Sequence, residues 1–370
     1  MSAVTGLRID TLDVLFFRGS RPIGPNAAAE SGLPHPQTLA GALRATLLEA
    51  HGFDLRAFAN ARRKPASEGL GARELLASLG APQGVLDLRV RGPWLCRGER
   101  QRVETVFFAA PRTLYRDGDV LTRSWPARGG GAVGNFLRAS VELQEGLSMP
   151  LWRHDAGDEV ALSGLVTLDG LRRVLEGAVP QAREVVAPGA LYGFDRRVGI
   201  GIDGATSTVK KGVLYAVSLL ALCPGVGFYA EVEGDERAAS ALFERPFRFG
   251  GEGRKAMARR VDQLPGGGFA RWSVPAKGDA RAVITVTPGW DGDRAIPSKL
   301  GPAVRAASVA RAALHSGFDV ARGGPRNTRS LIPAGSVYFI EGMTETQGSF
   351  AAPDDAAAGE GLFVTGAWTR

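Results

Sequence analysis

Short apolar segments punctuated by glycine turns recur along this chain, and that punctuation limits its fold more than any other feature. VLDLRVRGPWL (85–95), VLYAVSLLALC (213–223) and SVYFIEG (336–342) have the length and apolar patterning of strands. Between such segments stand PGVGF, FGGEGRK and LIPAG. Glycine allows sharp turns and close backbone approach, so 50 Gly and 22 Pro among 370 residues predict a sheet-rich chain with many tight turns. At this length two domains are expected.

The first segment, LRIDTLDVLFFR (7–18), has the period of a half-buried strand. The loop RGSRPIGPNAAAESGLPHP (18–36) follows, and then Leu39, Leu43 and Leu47 recur at i, i+4 and i+8, with Pro36 and Thr38 near the start and Gly52 beyond the end. This predicts a helix. Strand, loop and helix start in that order leave unpaired N–H groups ready for an anion. ARELLASLG (72–80) and LDGLRRVLEG (168–177) read as further helices, and FRFGGEGRKAMARRV (247–261) as a tight turn followed by a basic helix or ladder. VRAASVARAALH (304–315) fits a helix by its alanines or an edge strand by its alternation. GSFAAPDDAAAGEG (348–361) reads as an acidic loop.

The 45 basic residues exceed the 38 acidic ones, giving +7 and a pI near 9.8, so polyanions are plausible partners. Only Lys64, Lys210, Lys211, Lys255, Lys277 and Lys299 are lysines. The rest are arginines, whose planar forks suit phosphate oxygens, although a GC-rich genome would produce the same skew. Residues 96–131 form an irregular basic stretch with Arg97, Arg100, Arg102, Arg112, Arg116, Arg123 and Arg128 among Phe107, Phe108, Tyr115 and Trp125. Such interleaving suits single-stranded nucleic acid; a protruding hairpin with its aromatics in a subunit interface fits equally. The basic turn Arg196 to Lys211 precedes a segment compatible with a buried strand.

Several chemistries lack their motifs. Cys96 and Cys223 are the only cysteines, too few for a disulfide framework or a CxxC site. No GxxxxGK[ST], HExxH or GxSxG is present. GIGIDG (199–204) matches a dinucleotide fingerprint in letters but is followed by polar TSTVKKG in place of a helix; its glycines read as backbone that turns sharply or approaches a ligand. The four histidines are widely separated, so no metal-ligand spacing and no cofactor is expected. His35, in the basic loop, could serve as a general base on RNA or as a solvated or capping residue; Glu252 could be an acid or base, or a carboxylate pairing with Arg254. The amino-terminal stretch lacks a signal-like pattern and the longest apolar run is too short to span a bilayer, so the expectation is a soluble, cytoplasmic protein without a membrane partner.

Six ordered blocks then add up: LFFR through RP (15–22), PHPQTLAGALR (34–44), RVGIGIDGATSTVKKGVLY (197–215), GVGF (225–228), FGGEGRKA (249–256) and GGPRNTRSLIPAGSVYFIEG (323–342). Together they resemble the RAMP-superfamily subunit of the type III-B (Cmr) CRISPR effector complex that binds the 5′ tag of the guide RNA, from about residue 12 to 342. The resemblance implies an α+β fold of two ferredoxin-like, RRM-related modules with Gly-rich loops: 1–188, with a basic hairpin inserted at about 96–148, and 189–370. It implies a non-catalytic RNA-binding subunit in antiviral defence. Its implied partners are the crRNA and other Cmr-module subunits, including the large polymerase-like subunit and a backbone RAMP subunit. By position it implies RNA contacts from Arg18, Arg21, Gln37, Thr38, Arg44, Arg197, Lys210, Lys211, Gly251, Gly253, Arg254, Lys255, Arg326 and Arg329. The family's helix-start block usually reads Pro-Ser-Thr, whereas here His35, Pro36 and Gln37 precede Thr38. The stretch 304–315 corresponds to a strand in the family. The alternative is a metal-independent RAMP endoribonuclease that processes precursor crRNA, with His35 as base.

Overall fold

A computed structural model describes residues 3–18, 28–64, 70–127, 147–152, 160–235, 239–243, 245–275 and 278–368; the side chains of 28–30 and 210–215 lie outside that description. The fold is mixed α/β, mostly antiparallel sheet with few helices. The larger sheet has eight strands, in spatial order Val185–Val186, Leu165–Thr167, Arg102–Ala109, Arg89–Glu99, Val226–Gly234, Ala3–Thr11, Lys255–Arg260 and Pro246–Arg248. A second sheet has five: Val304–Ser308, Val337–Ile340, Arg281–Thr285, Leu362–Ala367 and Gln347–Ser349.

The same order recurs in both sheets. In the second, leaving aside the short edge strand Gln347–Ser349, the strand earliest in the chain (281–285) lies between the third (337–340) and the last (362–367), and the second (304–308) flanks the third. In the larger sheet Ala3–Thr11, Arg89–Glu99, Val226–Gly234 and Lys255–Arg260 repeat that arrangement. The larger sheet takes strands from both sides of residue 188, where the sequence halves were expected to part. A hairpin, Tyr192–Ile202 with Val209–Leu222, pairs in parallel with Ala28–Glu30 in a separate three-stranded sheet.

The central strands of the larger sheet are apolar on both sides because both of its faces are covered. Leu95, Phe107, Phe228 and Ala230 join one core; their neighbours Trp94, Cys96, Phe108 and Tyr229 join the other. Helix Pro36–Ala50 closes the first face with Leu39, Ala40, Leu43, Leu47 and Leu48, each leucine contributing about 1.5–3 kcal/mol of transfer free energy. It runs as the leucine spacing predicts, with His35 at the cap: the His35 Nδ1 accepts from the Gln37 N–H at 3.4 Å. On the second face, helix Leu168–Leu175 and Trp272 lie between the two sheets. Trp94 Nε1 donates to the Val286 carbonyl at 2.9 Å. At Gly359 (φ +92°) a Cβ would stand 2.8 Å from the Val90 carbonyl oxygen, so only glycine lets these backbones meet.

Three expectations are corrected, and for 304–315 the strand reading is borne out. The stretch 96–127 is regular, made of the strands Arg89–Glu99, Arg102–Ala109, Leu114–Asp117 and Val120–Arg123, because Phe107 and Phe108 are core residues, each 2% exposed. Of the GIGIDG glycines, Gly199 and Gly201 lie in an extended strand and only Gly204 falls in the hairpin turn, which is held by Asp203, whose Oδ1 accepts from Ala205 and Thr206, and by Ser207 at φ +55°. The ambiguous stretch 304–315 forms strands Val304–Ser308 and Ala313–His315, since pairing with Val337–Ile340 and Arg329–Leu331 overrides alanine's helical propensity. The supposed acidic loop 348–361 contains helix Pro353–Ala357, started by Pro353 with Asp354 and Asp355 in its first turn. Among the described residues no helix is long and apolar enough to cross a membrane.

Candidate nucleic-acid interface

The GGEG loop is shaped by backbone. Gly250, Glu252 and Gly253 have φ of +90°, +55° and +66°; Phe249 N donates to the Arg254 carbonyl at 2.9 Å and Gly251 N to the Phe16 carbonyl at 2.8 Å. A Cβ on Gly250 would stand 2.5 Å from the Phe16 oxygen, whereas on Gly251 it would meet the Phe16 ring at 3.1 Å without positive φ. The stringent glycine is therefore Gly250, one residue before the position expected from the sequence. Arg254 Nη1 donates to Asp13 Oδ2 at 2.6 Å, and the exposed Lys255 begins the next strand.

Contacts continue from Phe16 to the helix start. Phe17 N donates to Ser31 Oγ at 2.9 Å, and Gly32 N to the Phe17 carbonyl at 3.1 Å. Arg18 is exposed and bridges Ser31. At the helix start, Gln37 Nε2 donates to Asp355 Oδ1 at 2.8 Å, Arg326 Nη1 donates to Gln37 Oε1 at 2.9 Å and Arg329 Nη1 donates to Asp355 Oδ2 at 2.9 Å. The Arg329 guanidinium lies 4.4 Å from the centroid of Trp290, within cation–π range.

Beneath these groups His35 stacks on His315 with ring centroids 3.9 Å apart. Burial, reinforced by His315, Arg329 and Arg326, lowers the His35 pKa to about 2. Burial also lowers that of His315, with Arg326 and Arg329 adding to the effect. Glu360 Oε1 approaches His35 Nδ1 at 3.7 Å, but burial, aided by Asp355, raises the Glu360 pKa to about 8. The distance alone would suggest an ion pair. Desolvation outweighs the attraction, and at neutral pH the contact joins a neutral imidazole to a predominantly neutral carboxyl.

Of the residues expected at the site, Gln37 and Arg329 converge on Asp355 and Arg326 joins them through Gln37, while Gly251 and Arg18 meet one continuous backbone segment through Phe16 and Phe17, with Gly253, Arg254 and Lys255 in the same loop or directly after it. Arg44 turns elsewhere: its Nη2 donates to the carbonyls of Leu88 at 2.8 Å and Ala357 at 3.3 Å, an internal brace. Thr38 is half-buried, and its N–H donates to the His35 carbonyl at 2.9 Å. Arg197 lies on the hairpin opposite Val217 and holds Asp195 through Nε at 2.9 Å and Nη2 at 2.7 Å. Lys211 and Lys210 directly follow the hairpin turn, six and seven residues from Val217 on the same strand and about 20 Å along it, so Arg197 stands apart from the two lysines. Arg21 and Arg128 lie outside the described residues.

The aromatic stretch is largely diverted into the core. Beyond Phe107 and Phe108, Arg123 Nη1 donates at 2.8 Å to the Val174 carbonyl at the end of helix Leu168–Leu175 and its guanidinium stacks 3.5 Å from the Trp125 centroid. His35 is 8% exposed, a cap rather than a solvated loop residue. Sequence reasoning missed Asp13, Asp355, His315 and Glu360. Asp355, in the first turn of a helix opened by Pro353, carried a local signal; the others carried none. Among the described residues no group of three or more His, Cys, Asp or Glu could hold a metal ion.

The profile of the CRISPR-associated protein (Cas_Cmr3) family matches residues 7–368. The chain belongs to this family. The match agrees with the resemblance carried by the six sequence blocks. Two solved structures similar to it are subunits of the type III-B Cmr-beta complex. One, bound to cognate target RNA and AMPPnP, has 19% identity, TM-score 0.53 and coverage of 90% of this chain and 86% of that one. The other, bound to cognate target RNA, has 18% identity, TM-score 0.51 and the same coverage. At these identities the likeness concerns the fold. No curated protein matches the sequence.

Proposed function

We propose that this Cas_Cmr3 family member is the non-catalytic subunit of a cytoplasmic type III-B effector complex that holds the 5′ repeat-derived tag of the crRNA. One observation carries the reading: segments 13–18, 31–37, 250–255 and 326–329, distant in sequence, are linked contact by contact, which brings a glycine loop, a helix start and several guanidinium groups into one neighbourhood. Sequence-tolerant grip on a short single strand needs main-chain donors and cations on phosphates and no catalytic dyad.

The repeated strand order supports two ferredoxin-like modules, one built on the larger sheet and one on the second. Hairpin 192–222, with Phe194, Val198, Ile200 and Ile202 exposed on alternate positions, is the kind of apolar face that a neighbouring subunit covers; the large polymerase-like subunit and a backbone RAMP subunit are the proposed partners.

The test is titration of the purified chain with labelled repeat-containing RNA in EDTA at several salt concentrations. Saturable binding without cleavage is expected, log K falling against log salt with a slope near −4 if about six phosphates are neutralised. RNA recovered with the native chain should share one 5′ end. Absence of salt-dependent binding would remove the reading, and specific cleavage abolished by His35→Ala would replace it with the endoribonuclease.

A further inference from the structure

Three of the cations assigned to RNA hold a carboxylate. Arg254 pairs with Asp13 at 2.6 Å, Arg197 with Asp195 at 2.7 Å and Arg329 with Asp355 at 2.9 Å. In each one carboxylate oxygen takes a guanidinium N–H that a phosphate oxygen could take, and at Arg197 two nitrogens share the same Asp195 oxygen. Folding needs do not explain the first two. The Asp13 and Asp195 side chains are 59% and 38% exposed, and exposed pairs contribute little to stability.

We infer that Asp13, Asp195 and Asp355 are specificity-determining residues that occupy the arginine forks until an RNA phosphate displaces them. A single phosphate, or a generic polyanion, then meets arginines already neutralised. A strand that also engages the glycine loop and the neighbouring cations makes enough contacts at once to displace the carboxylates. The pairs thereby lower affinity for wrong anions more than for the correct strand. This inference rests on the RNA-binding reading above.

The experiment compares Asp13→Asn with Asp119→Asn, an exposed residue outside all three pairs that undergoes the same charge change. Repeat-tag RNA and an unrelated oligouridine of equal length are titrated over a range of salt. Asp13→Asn should tighten oligouridine binding several-fold, steepen its salt slope by about 0.7 and narrow the preference for the tag, whereas Asp119→Asn should leave that preference in place. Asp195→Asn provides a second exposed pair if Asp13→Asn alters the loop. If the wild-type chain binds RNA but the paired variants behave as Asp119→Asn does, or bind more weakly, this inference falls and the RNA-binding reading stands. If the wild-type chain binds no RNA, both fall.

Discussion

The helix start and the hairpin 192–222 both carry arginines singled out by the same charge argument, yet they use them differently. At the helix start Arg326 and Arg329 are gripped by Gln37, Asp355 and Trp290, so they join the C-terminal segment to the first helix as well as presenting charge. On the hairpin, Arg197 has its partner only two residues away, on the strand face opposite the exposed Phe194, Val198 and Ile200. Proximity in sequence marks a basic surface. Tertiary contacts decide whether each cation also holds the fold.

The contrast breaks most severely at the backbone that leads into the helix start. Gly250→Val adds a Cβ against the Phe16 oxygen at φ +90° and should cost about 2–4 kcal/mol, read by urea denaturation, with RNA binding lost alongside. Gly253→Ala, at φ +66° but in open space, should cost about 1 kcal/mol. Equal stability of the two variants would refute the contact argument.

Next comes pH. Glu360 is raised in the fold to about 8 from 4.5, so the folded chain holds its proton more tightly. The associated stability is present below the unfolded value and is lost as pH rises through about 8. The lowering of His35 to about 2 acts in the opposite direction: its neutral form is favoured in the fold, and stability falls as pH drops below 6.5. Denaturation at pH 5.5 and 8.5 should show a loss on the order of 2–3 kcal/mol at the alkaline end, and Glu360→Gln should flatten it. A wild-type profile already flat over that range would contradict the burial argument.

Smaller effects sharpen the division between brace and surface. Arg44→Ala removes bonds to two backbone carbonyls and should cost about 1–3 kcal/mol while leaving the salt slope of RNA binding unchanged. Arg197→Ala should do the reverse, changing stability by no more than about 0.5 kcal/mol and making the slope shallower by about 0.7. The double change Lys210→Ala with Lys211→Ala should make it shallower by about 1.4; an unaltered slope would remove both lysines from the site.

Local signals carried much of the fold. Leucines at i, i+4 and i+8 sufficed for helix Pro36–Ala50, because that period directly marks a buried stripe. The order of six glycine- and arginine-rich blocks was enough to reach the family. The sequence was silent where partners are remote. Phe107 beside arginines reads as a stacking platform until the second sheet face is known, and Asp355 gains its meaning only from Gln37 and Arg329, which lie 318 and 26 residues away. The repeated strand order escaped notice because, of the four repeating strands in the larger sheet, Arg89–Glu99 and Val226–Gly234 are separated by residues 100–225, which obscure the repeat.

That separation also bears on how the protein is made. Leu7 pairs with Ala230 on one side and with Arg260 on the other, so the first strand to leave the ribosome waits for neighbours more than two hundred residues behind it. At 5–20 residues per second this is a delay of roughly 10–45 s, with an apolar edge exposed throughout. A nascent-chain binder, or transient shielding by the early helix, would serve this polypeptide most during that interval, and slowing translation between codons 100 and 225 should raise the aggregated fraction more than slowing it after codon 260.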